Sequence, residues 1–319
     1  MSGLLCCGNI VFDVVVRPVS ELRWNTTHWV ESVRHTMGGN GANTAYAAAI
    51  LGARVKLLGW VGNDPAGTML TGKLAAAGVD VSAVHRSAAP TATTVSLVNP
   101  QGDRFLLHSP GVSLEAFSEP VQLDAGLLEG MTHFHLANLF AIPGLRRHGA
   151  GLLRQAKAAG LVTTLDTGWD QHGRWLEDLG PALAWTDLVF VNREETIALA
   201  GTGDLAEAAR IFAAHGAGMI VFKLAAAGCA VWEGGEMEHI PAFEVEAVDT
   251  TGAGDCFAGA FLAAWSGGAG AREAARLANA AAALSVTCLG ATEGLRPRAE
   301  LEAWMRTARL RQAPQPCSG

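Results

Sequence analysis

Charge is scarce in this chain of 319 residues: Asp, Glu, Lys and Arg make up 17% of it, against 50% hydrophobic residues. What charge there is leans acidic, with 23 Lys and Arg, 30 Asp and Glu, and a net charge of −7. There is no basic surplus to neutralise phosphates, which argues against a nucleic-acid partner. Low hydrophobicity is lacking too, so disorder along the whole chain is excluded. No apolar run of about eighteen residues is free of charges and turn formers, so no membrane-spanning helix is expected. The opening residues Met1 to Gly8 lack a basic flank and lead straight into a strand pattern. No secretory signal is expected there. The six cysteines, Cys6, Cys7, Cys229, Cys256, Cys288 and Cys317, contain no C-x-x-C pair. They read as free thiols of a reducing cytoplasm, the expected location. No Pro-, Gly- or Ser-rich linker and no fixed-period repeat interrupts the chain.

What is present is an alternation. Apolar runs at 55–61, 161–166, 187–192 and 219–224 read as strands. Helical stretches at 66–77, 145–159, 173–183, 193–200 and 204–214 lie among them. Near-continuous apolar strands interleaved with helices predict an α/β fold: a doubly wound, mostly parallel sheet with helices on both faces. Two stretches break the rhythm. Residues 14–36 hold Val14-Val15-Val16, Pro18 and a Trp-rich tract, and 91–108 read as a hairpin turning at Asn99-Pro100-Gln101-Gly102-Asp103. They predict a small β-sheet lid inserted into a single domain spanning 1–312, with a disordered tail at 313–319.

The most informative segment is Val248-Asp249-Thr250-Thr251-Gly252-Ala253-Gly254-Asp255. Phe257, Phe261, Leu262 and Trp265 follow at helical spacing, so Gly252-Ala253-Gly254 sits where a loop becomes a helix. Small residues there let the backbone approach a ligand, and unpaired N–H groups at a helix start favour an anion, usually phosphate. Asp255 falls in the first turn, where the helix dipole stabilises a carboxylate. An ionised carboxylate beside an anion nest is what phosphoryl transfer to an alcohol requires. The plainer reading of the same residues is a helix cap after a glycine turn.

Residues 249–255 resemble the C-terminal signature of the ribokinase-like (PfkB) carbohydrate kinases. Gly38-Gly39-Asn40-Gly41-Ala42-Asn43-Thr44-Ala45 resembles their N-terminal signature, and Asn192-Arg193-Glu194-Glu195 their N-x-x-E motif, in family order and spacing. The resemblance implies that Asp255 is the catalytic base and that the backbone of Gly252, Ala253 and Gly254 is the anion hole. It implies ATP and Mg2+ as cofactors, with Asn192 and Glu195 acting on magnesium and phosphates through water. Asp249 and Thr251 match positions that bind a monovalent cation in potassium-activated members, with 285–291 as the second loop of that site, so K+ is a candidate cofactor. Asp13, Gly39, Asn40 and Asn43 match sugar-contacting positions. Lys223 to Gly228 resembles a nucleotide-side K-L-G-x-x-G loop with Ala225 in place of its first glycine; if that position needs positive φ, alanine is strained there. Asn279 resembles a position beside the adenine.

Several other features carry bland alternatives. An isolated N-x-x-E is also a helix capping box. Gly39 to Asn43 superficially suggests a dinucleotide fingerprint, but 31–37 make a poor buried strand and the residue near 60 is Trp60 rather than an acid. His133 and His135 alternate on one strand, yet no third metal ligand is evident. Trp24 and Trp29 fall in the lid segment and are candidates for substrate contact. Ribokinases proper carry Lys where this chain has Asn40, and a glutamate near Ala137 and Asn138, so ribose itself is disfavoured. The lid shows no arginine cluster, only Arg34 and Arg104 nearby, which weighs against an acceptor that already bears phosphate.

The reading is an ATP-dependent kinase acting on a sugar, sugar acid or nucleoside, with no nucleic-acid or membrane partner and a homodimer through the lid edge. A non-catalytic sugar or nucleoside sensor on the same scaffold is the alternative; a nicotinamide-dependent oxidoreductase is disfavoured.

Overall fold

The computed structural model describes residues 2–311; the tail expected to be disordered and Cys317 lie outside the described residues. The main sheet runs, edge to edge, Glu236–Ile240, Cys229–Glu233, Met219–Lys223, Leu188–Asn192, Val162–Asp166, His133–Ala137, Gly3–Cys7, Arg54–Gly62 and Val79–Asp80, with Val84–Ser87 also paired to Arg54–Gly62. The strands from Met219–Lys223 to Val79–Asp80 are parallel, as their apolar runs predict. The exception is one edge, where Cys229–Glu233 and Glu236–Ile240 form an antiparallel hairpin. Its Gly234-Gly235 turn has both glycines at positive φ, the chemistry of a tight hairpin.

Alternate strand residues feed two cores. Leu4 and Cys6 enter one, against the helices Asn40–Ile50, Ala253–Ser266 and Ala271–Ser285; Leu5 and Cys7 enter the other, against Pro143–Ala158 and Leu205–Ala214. The helix Ala253–Ser266 is apolar nearly all round because it is covered all round, with Phe261 fully buried. It crosses Asn40–Ile50 so closely that a Cβ at Gly259 would lie 2.5 Å from the Thr44 carbonyl. That approach brings the starts of the two helices together.

A separate four-stranded sheet has the order Ser32–Gly38, Val11–Arg17, Thr93–Val98, Arg104–Ser109. The expected hairpin pairs Val98 with Arg104 and Thr93 with Ser109. Residues 32–38, which make a poor buried strand, are an edge strand here; Arg34 and His35 face water while Thr36 to Gly38 are buried. Register places Val33, Val16, Leu97 and Phe105 side by side across the sheet, with Val14, Val95 and Leu107 on the same face. The opposite face carries Asp13, Thr94, Ser96, Arg104 and His108 toward the main sheet's carboxyl ends. No helix among the described residues is long and apolar enough to cross a membrane.

Candidate active site

The helix Ala253–Ser266 begins without a side-chain cap, its N-cap Gly252 at φ 69°. Among the described residues the amides of Gly252 and Gly254 donate to no protein acceptor, and Ala253 makes only a long 3.3 Å bond to the Thr250 carbonyl. Bare N–H groups at a helix start are an anion site by geometry and dipole together. Asp255, two residues into the helix, is buried beside them.

Both oxygens of the Asp255 carboxylate accept from side-chain amides: Oδ1 from Asn40 Nδ2 at 2.8 Å and Oδ2 from Asn43 Nδ2 at 2.9 Å. Asn40 in turn accepts from Asn138 Nδ2 at 3.0 Å. Turning its N–H groups to the carboxylate leaves Asn43 Oδ1 buried without a partner among the described residues, a sacrifice of about 1–3 kcal/mol. Burial raises the Asp255 pKa; Asn43, Asn40 and Lys223 pull against it and Glu195 adds to it. The site thus joins a desolvated carboxylate to donors that favour its charged form.

On one side of Asp255 opens a cavity of about 810 Å³ between the small sheet and the carboxyl ends of the large one. Asp13, Gly39, Asn40 and Asn43 line it with Arg17, Thr94, Ser96, Arg104 and His108. Burial pushes the Asp13 carboxyl up to about 6, with Thr94 working the other way and Asp249 and Asp255 adding to the rise. On the other side lies a cavity of about 500 Å³ lined by Asn192, Lys223, Ala225, Gly228, Phe243, Val245, Ala253, Gly254, Asn279 and Ala283. Thr250 lines both; Gly252 and Asp255 face the first, Ala253 and Gly254 the second.

The parallel sheet sets Asp166, Asn192 and Lys223 at neighbouring strand ends, where ligands of such folds bind. Lys223 Nζ holds Asp166 at 2.6 Å, and a Cβ on Gly254 would sit 3.3 Å from that ammonium. Burial works against its charge, but Asp166 and Glu195 outweigh burial and the Lys223 pKa is raised. Asn192 and Glu195 form a complete capping box for the helix Arg193–Ala200. Glu195 Oε2 accepts from Thr167 Oγ1 at 2.8 Å and from the Asn192 amide at 3.0 Å, while Oε1 accepts no bond from a described residue. The bland reading of N-x-x-E is therefore present, and one carboxylate oxygen is left over. Ala225 does take positive φ, 51°. Asn279 reaches the cavity wall, but its Nδ2 donates to the carbonyls of Ile240 and Pro241, at 3.0 and 3.2 Å.

Asp249 and Thr251 sit beside the anion hole. Asp249 Oδ1 accepts from the Thr251 amide and hydroxyl and pairs with Arg104 at 3.3 Å; Oδ2 accepts from Gly290. Burial would raise the Asp249 pKa, but Thr251, Gly290 and Arg104 outweigh it and lower it. Arg104 also contacts the Thr251 hydroxyl.

Other sequence candidates fall away. No group of three or more metal-ligating side chains occurs among the described residues. His135 is buried, bound to Thr164 at 2.8 Å, and burial drives its pKa down to about 3. Trp24 and Trp29 are over 90% exposed, and neither lines the cavity at Asp255; Trp29 lines a separate surface hollow with its own loop. Asp166, Thr167, Arg17 and Asn138 were missed. Sequence order separates Asp166 from Lys223 by 57 residues, and only the strand order makes them neighbours.

A model of the pfkB family carbohydrate kinases matches residues 1–298. A protein of Halopiger xanaduensis described as an ATP-dependent ribose-1-phosphate kinase is 32% identical over 293 residues, covering 91% of this chain and 94% of that one. Ribokinase of Bacillus subtilis is 28% identical, covering 95% of this chain and 99% of its own. Ribokinase of Thermotoga maritima superposes with a TM-score of 0.78 at 26% identity, covering 96% and 99% of the two chains. Ribokinase of Arabidopsis thaliana, complexed with ribose and ATP, gives 0.83 at 24% identity over 96% and 99%, a likeness of fold.

Proposed function

The chain belongs to the pfkB family of carbohydrate kinases, and from that premise we propose that it transfers the γ-phosphoryl of ATP to a hydroxyl of a sugar, sugar acid or nucleoside, with Asp255 as general base. The observation that carries this reading is the shared wall: residues 250–255 face a polar cavity on one side and an apolar one on the other. Acceptor and nucleotide placed in those cavities meet at Asp255 and at the free amides of Gly252 and Gly254. The amides receive the charge that develops on the transferring phosphoryl, and the carboxylate takes the hydroxyl proton. Lys223, beside Gly254, adds a fixed positive charge on the nucleotide side.

The residues fit a magnesium ion bound with the nucleotide. Magnesium keeps several waters and needs few protein ligands; Glu195 Oε1 is uncommitted, and Asn192 lines the cavity next to it. When bound, the ion neutralises the phosphates, while the protein groups orient it. A monovalent cation fits less well. Both oxygens of Asp249 are already engaged, and Arg104 supplies a positive charge at the same carboxylate.

Asp13 and the amides of Asn40 and Asn43 would receive the acceptor's hydroxyls, with the small sheet closing over it as a lid to exclude water. In place of a charged Lys–Glu pair, Asn40 and Asn138 offer a neutral pair, so the panel of acceptors extends to ribose 1-phosphate, the substrate in the Halopiger protein's description. The apolar outer face of the lid, carrying Val14, Val16, Val33, Val95, Leu97, Phe105 and Leu107, suits a second copy of the chain, with Phe105 63% exposed on its edge strand Arg104–Ser109. Light scattering that shows only monomer at micromolar concentration overturns that assembly.

The deciding experiment is ADP release over a panel of sugars, sugar acids, sugar phosphates and nucleosides, with and without potassium. Asp255→Asn lowers kcat at least ~10²-fold, the ordinary general-base contribution, while ATP still binds. Ligand-induced stabilisation with no ADP release from any acceptor would instead favour a sensor.

A further inference from the structure

The direction of each side-chain amide around Asp255 is fixed from both ends of a hydrogen-bonded chain. At one end stands the backbone N–H of Phe140, which can only donate, and Asn138 Oδ1 accepts it at 2.9 Å. Asn138 is left with Nδ2 to offer Asn40 Oδ1 at 3.0 Å, and Asn40 is left with Nδ2 to offer Asp255 Oδ1 at 2.8 Å. At the other end an ionised carboxylate can only accept. Flipping either amide sets donor against donor or acceptor against acceptor at both of its joints. Asn43 makes the same choice at Oδ2, although this strands its own Oδ1.

Asn138 pays for its place with its backbone. It sits at φ 108°, a region that favours glycine. Its carboxamide lies against Gly168, where a Cβ would come within 2.1 Å of Oδ1. Strain of this kind persists where the surroundings over-determine a conformation, and it clusters at functional sites. Asn138 does not line the acceptor cavity, so its influence on the site passes through Asn40.

Resting on the reading of Asp255 as the base, we infer that Asn138 is a positioning residue for phosphoryl transfer: it fixes the Asn40 amide so that an N–H, not an oxygen, meets the base. The relay holds the carboxylate ionised and in one rotamer without touching either substrate. Other groups face the carboxylate as well: Lys223 and Glu195 from neighbouring strand and helix, Asp166 and Asp13 farther off, and the buried thiols of Cys6 and Cys256. The relay sets one donor among these, so its removal shifts the base's titration without abolishing catalysis.

The test compares kcat–pH profiles of ADP release, using the best acceptor of the panel, for the parent, Asn138→Gly, Asn138→Asp, Asn40→Ala and Asn40→Ala/Asn138→Gly. Glycine takes positive φ freely, so Asn138→Gly keeps the backbone and loses the amide; melting temperature checks that it folds. Its acid limb should move up by about one pH unit, with kcat on that limb about tenfold lower and KM for ATP unchanged. Asn138→Asp keeps an acceptor for Phe140 but sets an oxygen against Asn40 Oδ1, and its limb should move further. The double variant should be no worse than Asn40→Ala alone. An unshifted limb in Asn138→Gly, or effects that simply add in the double variant, overturns the inference. Asp255→Asn, run alongside, separates the two claims. If it is inactive while Asn138→Gly matches the parent, only the inference fails; if it keeps most of the parental kcat, the base itself is misassigned.

Discussion

The two cavities that meet at Thr250 are made of different chemistry. The cavity proposed for the nucleotide is lined by alanines, Phe243, Phe257, Val245 and Val286, together with the charged Arg193, Glu194, Lys223 and Arg311. The acceptor side is walled by carboxylates, amides, hydroxyls and the guanidinium groups of Arg17 and Arg104. An apolar wall discriminates by volume alone, and weakly. A wall of buried polar groups discriminates strongly, because a ligand that fails to match leaves one of them unpaired. On the proposed function, selectivity should therefore lie with the acceptor, and the apolar part of the other cavity should be a general seat for a flat base.

The largest expected effect sharpens that contrast directly. A deoxy analogue lacking the hydroxyl that meets Asp13 should lose about 10⁴-fold in kcat/KM, while GTP in place of ATP should lose only about 10²-fold. Comparable losses on both sides would erase the distinction. Next comes Asp13→Asn, which exchanges a charged acceptor for a neutral one. Acceptor KM should rise about 10- to 100-fold, the worth of a hydrogen bond to a charged group, with KM for ATP unmoved. The parent should show a related pH dependence. Burial pushes the Asp13 carboxyl up to about 6, so kcat/KM for the acceptor should fall as pH drops from 7 to 5 and the carboxyl gains a proton. Asp13→Asn should lack that limb. Arg104→Ala breaks the tie between the small sheet and Asp249. The guanidinium is partly exposed, 37%, and such pairs are screened, so a rise in acceptor KM of no more than about fivefold is expected. The smallest effect belongs to the nucleotide side. Ala225→Gly relieves a positive φ and should stabilise the protein by about 1 kcal/mol in denaturant titration, with KM for ATP changed less than about twofold. A loss of stability would mean that the loop does not hold that conformation in solution.

Much of this was legible because local rules and global fold agree. The parallel strands carry apolar runs on both faces, and Gly252-Ala253-Gly254-Asp255 is a helix start, as the spacing of the apolar residues after it predicts. The positive φ at Ala225 was anticipated from a missing glycine. The rest depended on pairing. The edge hairpin at Cys229–Glu233 and Glu236–Ile240 was not read, although Gly234-Gly235 marks it, because its second strand is polar and mostly exposed and lacks the apolar run of a central strand. The strand Ser32–Gly38 fails as the buried strand that a dinucleotide fingerprint requires, and it is the edge of the small sheet. Asp166 and Asn138 could not be found from spacing: each is hydrogen-bonded to a residue far away in the chain, Lys223 and Asn40.

The small sheet's edge strand ends at Gly38, and the helix that presents Asn40 and Asn43 starts two residues later. Whatever tilts that sheet tugs on both amides that grip the base. If Asp255 is the base, an acceptor that moves the small sheet is coupled mechanically to that carboxylate, and the side-chain amide resonances of Asn40 and Asn43 should register an acceptor before any nucleotide is added.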